Sequence, residues 1–135
     1  MAGETDLDTL LKSMNPVLRD GEFVFCTLSP ERAETLVCEP VCRFREDEGV
    51  SLIMSREDAD RERLPYETVF RMITLTVYSS LDAVGFLAAI AAELARRGIS
   101  VNPVSAYFHD HLFVPSVRAD ETMRALEALK RAGAL

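Results

Sequence analysis

Residues 70–135 read FRMITLTVYSSLDAVGFLAAIAAELARRGISVNPVSAYFHDHLFVPSVRADETMRALEALKRAGAL, and the order of elements in this stretch decides the fold. It opens with strict alternation, Ile73, Leu75 and Val77 on one side and Met72, Thr74, Thr76 and Tyr78 on the other. That is the period of a half-buried strand. Ser79 and Asp82 follow at capping-box spacing, where hydroxyl and carboxylate each satisfy an orphan backbone donor at a helix start. Val84, Leu87, Ala91 and Leu94 then recur at helical spacing as one apolar stripe. Arg96 and Arg97 put cations at the negative end of this helix, and Gly98 closes it. Two extended runs, ISVNPVSAYF and HLFVPSV, flank the polar pair His109–Asp110, which predicts a hairpin with its turn at that pair. Pro103 and Pro115 lack an amide donor and suit an edge or a bulge. From Asp120 a second helix turns Met123, Leu126 and Leu129 inward and stops at Gly133.

The first half repeats this order more loosely. EFVFCTL (22–28) is a strand with Phe23 and Phe25 on one face and Val24 and Cys26 on the other. A short helix follows, with Ser29 as its cap and Pro30 in its first turn. VCRF and GVSLIM flank REDEG as a hairpin, and SREDADRERL starts another helix. Overlaying Arg56 on Arg118 also places Asp58 on Asp120 and Leu64 on Leu126, a weak internal repeat. An extra amphipathic helix over 5–14 carries Leu7, Leu10, Leu11 and Met14, and Pro16 ends it. The predicted division is an N-terminal unit over 1–64 with this leading helix, and a C-terminal unit over 65–135.

Each unit is the βαββα front of a ferredoxin-like fold, an α+β architecture of antiparallel sheet with helices on one face. The complete fold needs a fourth strand after the second helix, and LKRAGAL supplies none. The missing edge must come from the other half or from another copy, so the units are expected to share or exchange strands.

Composition narrows the function. A net charge of −7, with no long basic cluster, argues against nucleic acid and against an anionic membrane surface. The acidic opening MAGETDLDTLLKSM is not a secretion signal, and the greasy run Ala83–Ala92 is too short to span a bilayer. The expectation is a cytoplasmic protein. Cys26, Cys38 and Cys42 read as free thiols. CEPVC offers two sulfur ligands where structural zinc wants four, so no metal is expected there.

GISVNPVSAY, together with the strand, loop and hydrophobic helix ahead of it, resembles an ACT domain, the small module that binds amino acids beside many metabolic enzymes. GEFVFCTL, EDEGVSLIM, SSLDAVGF and HDHLFVP are similar to the shared marks of small stand-alone bacterial proteins built as tandem ACT-like units. The resemblance covers nearly the whole chain. It extends distantly to the cytosolic arginine sensor and to the regulatory part of aspartate kinases, although 135 residues leave no room for a kinase catalytic domain.

Such a resemblance implies an effector site at the strand-to-helix loop, commonly across an interface between two units. Here that site comprises Ser79, Ser80, Leu81, Asp82, Val84, Gly85 and Phe86. The chemistry suits it, because helix N-terminal amides attract a carboxylate and a glycine admits a ligand close to the backbone. Asn102 on the following strand would face this loop and read an amino or carboxylate group. The alternative for Asn102 is an edge-strand amide satisfied by backbone. Glu46, Asp47 and Glu48 could attract a ligand's amine, but a solvated hairpin tip explains them as well.

The chain's two histidines, His109 and His111, flank Asp110. If extended, this stretch would aim both imidazoles one way and suit a transition metal. A tight turn would instead splay them, with a histidine–aspartate hydrogen bond pinning the turn. The turn is the preferred reading, with His109 and Asp110 bordering an effector pocket, no metal, no catalytic residue and no cofactor. The function expected is a non-enzymatic regulatory protein that binds a small amino acid or related metabolite at the interface between ACT-like units, as a homodimer. The alternative is a ligand-free interaction subunit that pairs with a metabolic enzyme through its sheet edges.

Overall fold

The computed structural model describes residues 6–77 and 83–133. The elements in chain order begin with α1 (Leu7–Ser13), β1 (Pro16–Leu18), β2 (Phe23–Leu28), α2 (Pro30–Glu34), β3 (Cys42–Arg45), β4 (Val50–Ser55) and α3 (Arg56–Arg61). They continue with β5 (Phe70–Leu75), α4 (Phe86–Arg96), β6 (Asn102–Ser105), β7 (Asp110–Pro115) and α5 (Ala119–Ala132). Contacts divide the chain into a continuous unit, Gly21–Phe70, and a split unit made of Met1–Asp20 with Arg71–Leu135.

In the continuous unit β4 lies between β3 and β2, antiparallel to both. Alternation along β2 turns Val24 and Cys26 to the core, where they meet Leu52 and Met54 of β4, Ala33 of α2, Ala59 of α3 and Leu64. Both short helices start as their sequences dictate. Ser29 Oγ accepts from the Arg32 amide at 3.2 Å, and Ser55 Oγ accepts from the Asp58 amide at 3.1 Å. Each cap removes one orphan donor.

In the split unit the strands run β1–β5–β7–β6. The edge that the C-terminal half lacks is filled by Pro16–Leu18, which pairs antiparallel with β5 in the register Pro16↔Leu75 and Leu18↔Ile73. The strand comes from the first half of the chain, one of the two sources that the incomplete βαββα pattern allows. Helix α1 comes with it and buries Leu10, Leu11 and Met14 against Ile73, Leu75, Phe86, Ile90, Leu94, Leu112, Val114 and Leu126. Each fully buried leucine or isoleucine contributes about 1.5–3 kcal/mol of apolar transfer. Residues 7–18 therefore pack with the C-terminal elements, because the leading helix and strand close that sheet.

The termination of α4 follows the sequence. The Gly98 amide donates to Ala95 O at 3.0 Å and the Ile99 amide to Leu94 O at 2.9 Å, the paired closing bonds of a glycine stop. Arg118 adds a tie across the unit, donating to Gly98 O at 3.2 Å and to Arg97 O at 3.0 Å. No helix among the described residues is long and apolar enough to cross a membrane.

Two local expectations fail. Helix α4 begins at Phe86 with Gly85 as its N-cap, later than the Ser79–Asp82 spacing predicts. Gly85 has φ 91°, a left-handed conformation that cannot lie inside the helix, so helical bonding begins after it with the Ala89 amide on Gly85 O. Val84 consequently lies outside the helix and is 83% exposed, and the buried stripe is Phe86, Ile90 and Leu94. The hairpin turn is also displaced. It spans Ala106–His109, closed by the Ala106 amide on His109 O at 3.0 Å, and Asp110 is the first residue of β7.

Candidate ligand site

Six of the ten predicted site residues, Val84, Gly85, Phe86, Asn102, His109 and Asp110, lie among the described residues. Ser79, Ser80, Leu81 and Asp82 lie outside the described residues. Gly85 presents the first turn of α4, and no side chain among the described residues caps it. An added Cβ at Gly85 would meet Leu7 Cδ2 at 3.5 Å, so space is ordinary and the backbone angle is what calls for glycine. Phe86 is 3% exposed and belongs to the core. Asn102 is exposed on β6 opposite Phe113, whereas Ser105 stands opposite Asp110. Asn102 is therefore three residues, about 10 Å, along the strand from the tip residues.

The displaced turn changes what the histidines do. As an extended residue of β7, His111 shares a side with His109, and their ring centroids are 6.5 Å apart with planes at 77°. The splayed arrangement pinned by a histidine–aspartate bond is overturned on this point, because Asp110 instead accepts from Ser105 Oγ at 2.6 Å, its partner in the ladder. His109 Nδ1 lies 3.4 Å from Val77 O, and since a carbonyl can only accept, that nitrogen carries the proton of the contact.

His111 Nδ1 is 3.0 Å from Thr74 Oγ1, and Thr74 Oγ1 accepts from Arg19 Nε at 3.0 Å. A neutral His111 that is bare at Nδ1 takes the Thr74 proton and completes a relay from Arg19 through Thr74 to His111. Burial pushes the His111 imidazole below its ordinary pKa, and the nearby His109 and Arg19 add to that against a smaller opposing pull from Asp110. These surroundings favour the neutral form of His111. Among the described residues no group of three or more His, Cys, Asp or Glu side chains gathers. Cys26, Cys38 and Cys42 are free thiols.

Glu46, Asp47 and Glu48 are exposed at the β3–β4 tip, with the Glu46 carboxylate held by Ser51 Oγ. Arg19 and Thr74 escape a reading of the sequence. Thr74 shows only as an alternating polar residue on a strand, and Arg19 is 55 positions away from it with no motif around it. Tyr107 and Phe108, 62% and 63% exposed, pack edge-on at the hairpin tip with centroids 5.0 Å apart.

A strand pair, a helix entered through a left-handed glycine and a sheet completed by a borrowed edge together define an α+β unit of the ferredoxin-like kind. The chain belongs to the ACT-domain family: one ACT-domain model matches residues 2–71 and another matches residues 67–128. These are two ferredoxin-like units in tandem, in an α+β fold. Among solved structures, a Vibrio cholerae protein described as of unknown function and a possible transport protein is 42% identical. Its TM-score is 0.83, over 92% of this chain and 95% of that one. An Agrobacterium tumefaciens protein is 17% identical, with TM-score 0.67 over 87% of this chain and 89% of that one. The regulatory subunit of aspartate kinase from Thermus thermophilus shares the fold at 8% identity, with TM-score 0.66 over 88% of this chain and 97% of that one. No match is found among curated proteins.

Proposed function

We propose that this chain is a non-enzymatic, cytoplasmic regulatory protein that binds a small amino acid or related metabolite beside the loop that leads into α4. The reading rests on two observations: both halves match the ACT domain, and among the described residues no side chain caps the α4 start at Gly85. Uncapped helix N-terminal amides there suit a carboxylate. His109 and Asp110 border the same end of the sheet, and residues 79–82 would complete the contact. Binding would be shared between ACT-like units of two copies, and the signal would come from tighter binding to one arrangement of them. An affinity of about 1–100 μM is expected for a loop that orders on binding.

Thermal melting against the twenty amino acids tests this. One or a few should raise the midpoint, and Gly85→Val, which adds a side chain at φ 91°, should remove the shift. The same melting curve for all twenty would instead favour an interaction subunit. The observation that supports that second reading is the exposed Tyr107–Phe108 pair at the tip of an edge hairpin. Replacing both by serine would then abolish partner binding and leave stability within about 0.5 kcal/mol.

A further inference from the structure

The continuous unit holds a cavity that no part of the proposed site uses. Pro30 and Glu34 of α2, Arg43 and Arg45 of β3 and Val50 of β4 line a space of about 440 Å³. That is within the range of small-metabolite pockets. Arg43 and Arg45 stand two apart on one strand, opposite Leu52 and Val50, and both of those partners belong to the core that α2 and α3 cover. Both guanidiniums therefore lie on the helix side of an edge strand.

Three other arginines of this unit are committed to carboxylates on or beside its helices. Arg32 pairs with Glu62, Arg56 with Glu22, and Arg61 with Glu57 and Asp58. Among the described residues Arg43 and Arg45 have neither an ion pair nor a side-chain hydrogen bond, and no ion pair joins them to Glu34 across the cavity. In a chain of net charge −7, two uncommitted guanidiniums on one face are a concentrated positive site.

We propose that this cavity binds a free α-amino acid carrying a second carboxylate. Each guanidinium offers a planar fork that matches one carboxylate. Glu34 on the facing helix supplies the acceptor for the ammonium group. The walls carry two positive charges and one negative, and an acidic amino acid carries the reverse at neutral pH, so the filled site is neutral. A phosphate or a plain dicarboxylate would face Glu34 with nothing to give it. The site is distinct from the one beside Gly85.

Isothermal titration of the whole chain with L-aspartate, L-glutamate, L-asparagine and succinate tests it. One of the two acidic amino acids should bind, and asparagine at least tenfold more weakly. Arg43→Gln and Arg45→Gln should each weaken binding tenfold or more. Glu34→Gln should weaken the amino acid and strengthen succinate, a reversal that a merely structural role would not produce. All three side chains are exposed, so the melting midpoint without ligand should not move; Arg43→Lys and Arg45→Lys, which keep the charge but lose the fork, should weaken binding as well. No binding of either acidic amino acid, or binding unchanged in the arginine variants, overturns the proposal. Binding that survives those variants and disappears in Gly85→Val belongs to the other site and leaves only the present proposal refuted.

Discussion

Hairpin β3–β4 of the continuous unit and hairpin β6–β7 of the split unit match strand for strand, Cys42–Arg45 with Asn102–Ser105 and Val50–Ser55 with Asp110–Pro115. The longer strands share one burial pattern, with Leu52, Ile53 and Met54 of one and Leu112, Phe113 and Val114 of the other buried at the same places. Their turns close alike, the Glu46 amide on Gly49 O at 2.9 Å and the Ala106 amide on His109 O at 3.0 Å. Everything outside this apolar frame differs. Glu46, Asp47 and Glu48 at one tip become Ala106, Tyr107 and Phe108 at the other; Arg43 and Arg45 become Pro103 and Ser105; Ser51 becomes His111. A sheet-on-helix core constrains the inward positions, so chemistry diverges where the core makes no demand. The histidine relay of the split unit sits at such an outward position, and Arg43 and Arg45 of the other unit stand on the helix side of an edge strand, where they stay exposed.

The frame itself is the first thing to break. Leu52→Ala and Leu112→Ala, at side chains 1% and 0% exposed, should each cost about 2–5 kcal/mol in chemical denaturation. A loss below about 1 kcal/mol at one of them would show that the two hairpins are not equivalent supports.

The turn positions come next. A Cβ at Gly49 would come within 2.9 Å of Leu28 O, a backbone atom with no freedom to retreat, so Gly49→Ala should cost about 1–3 kcal/mol. At the matching position the split unit already carries His109, whose replacement by alanine should cost under about 1 kcal/mol, since its 3.4 Å contact to Val77 O is long. Equal losses at the two positions would mean that the turns are built differently.

The smallest effect is one of pH. His111 has its folded pKa depressed below the ordinary histidine value of about 6.5, so the unfolded chain binds its proton first as pH falls. Stability from this group is fully present above pH 6.5 and declines as pH drops from there through the folded value. Melting midpoints of the parent chain and of His111→Gln should converge over that window, and parallel curves would show that His111 is not held neutral. Ser51, its counterpart, cannot titrate there.

Much of this was legible because the signals are local. The cap at Ser29, the stop at Gly98 and the alternation of Ile73 and Leu75 each involve residues within one or two turns of one another. The missing edge strand could be inferred, but its identity could not. Pro16–Leu18 is three residues long, and its role exists only through pairing with β5. The Arg19–Thr74–His111 relay spans 55 and 37 positions, and no spacing rule reaches that far. The misplaced turn has a different cause. His109 and Asp110 look like turn residues because turns favour polar side chains. Leu112 and Val114 must face the core, however, and a period of two then draws Asp110 inward as a strand residue with them. Val84 misled for the complementary reason, since its helical spacing to Leu87 ignores the left-handed Gly85 between them.

The strand Pro16–Leu18 has a consequence for how the molecule comes into being. Thr76 Oγ1 donates to Asn15 O, 61 positions back along the chain, so the split unit must close a long loop before its first and last elements meet. Ring closure of that length is entropically costly and slows folding. Gly21–Phe70 has no such debt, because its partners are sequential. During synthesis it can condense first and draw the ends of the intervening loop together. A truncation that removes the leading twenty residues should therefore cripple the distant C-terminal elements while Gly21–Phe70 keeps its core.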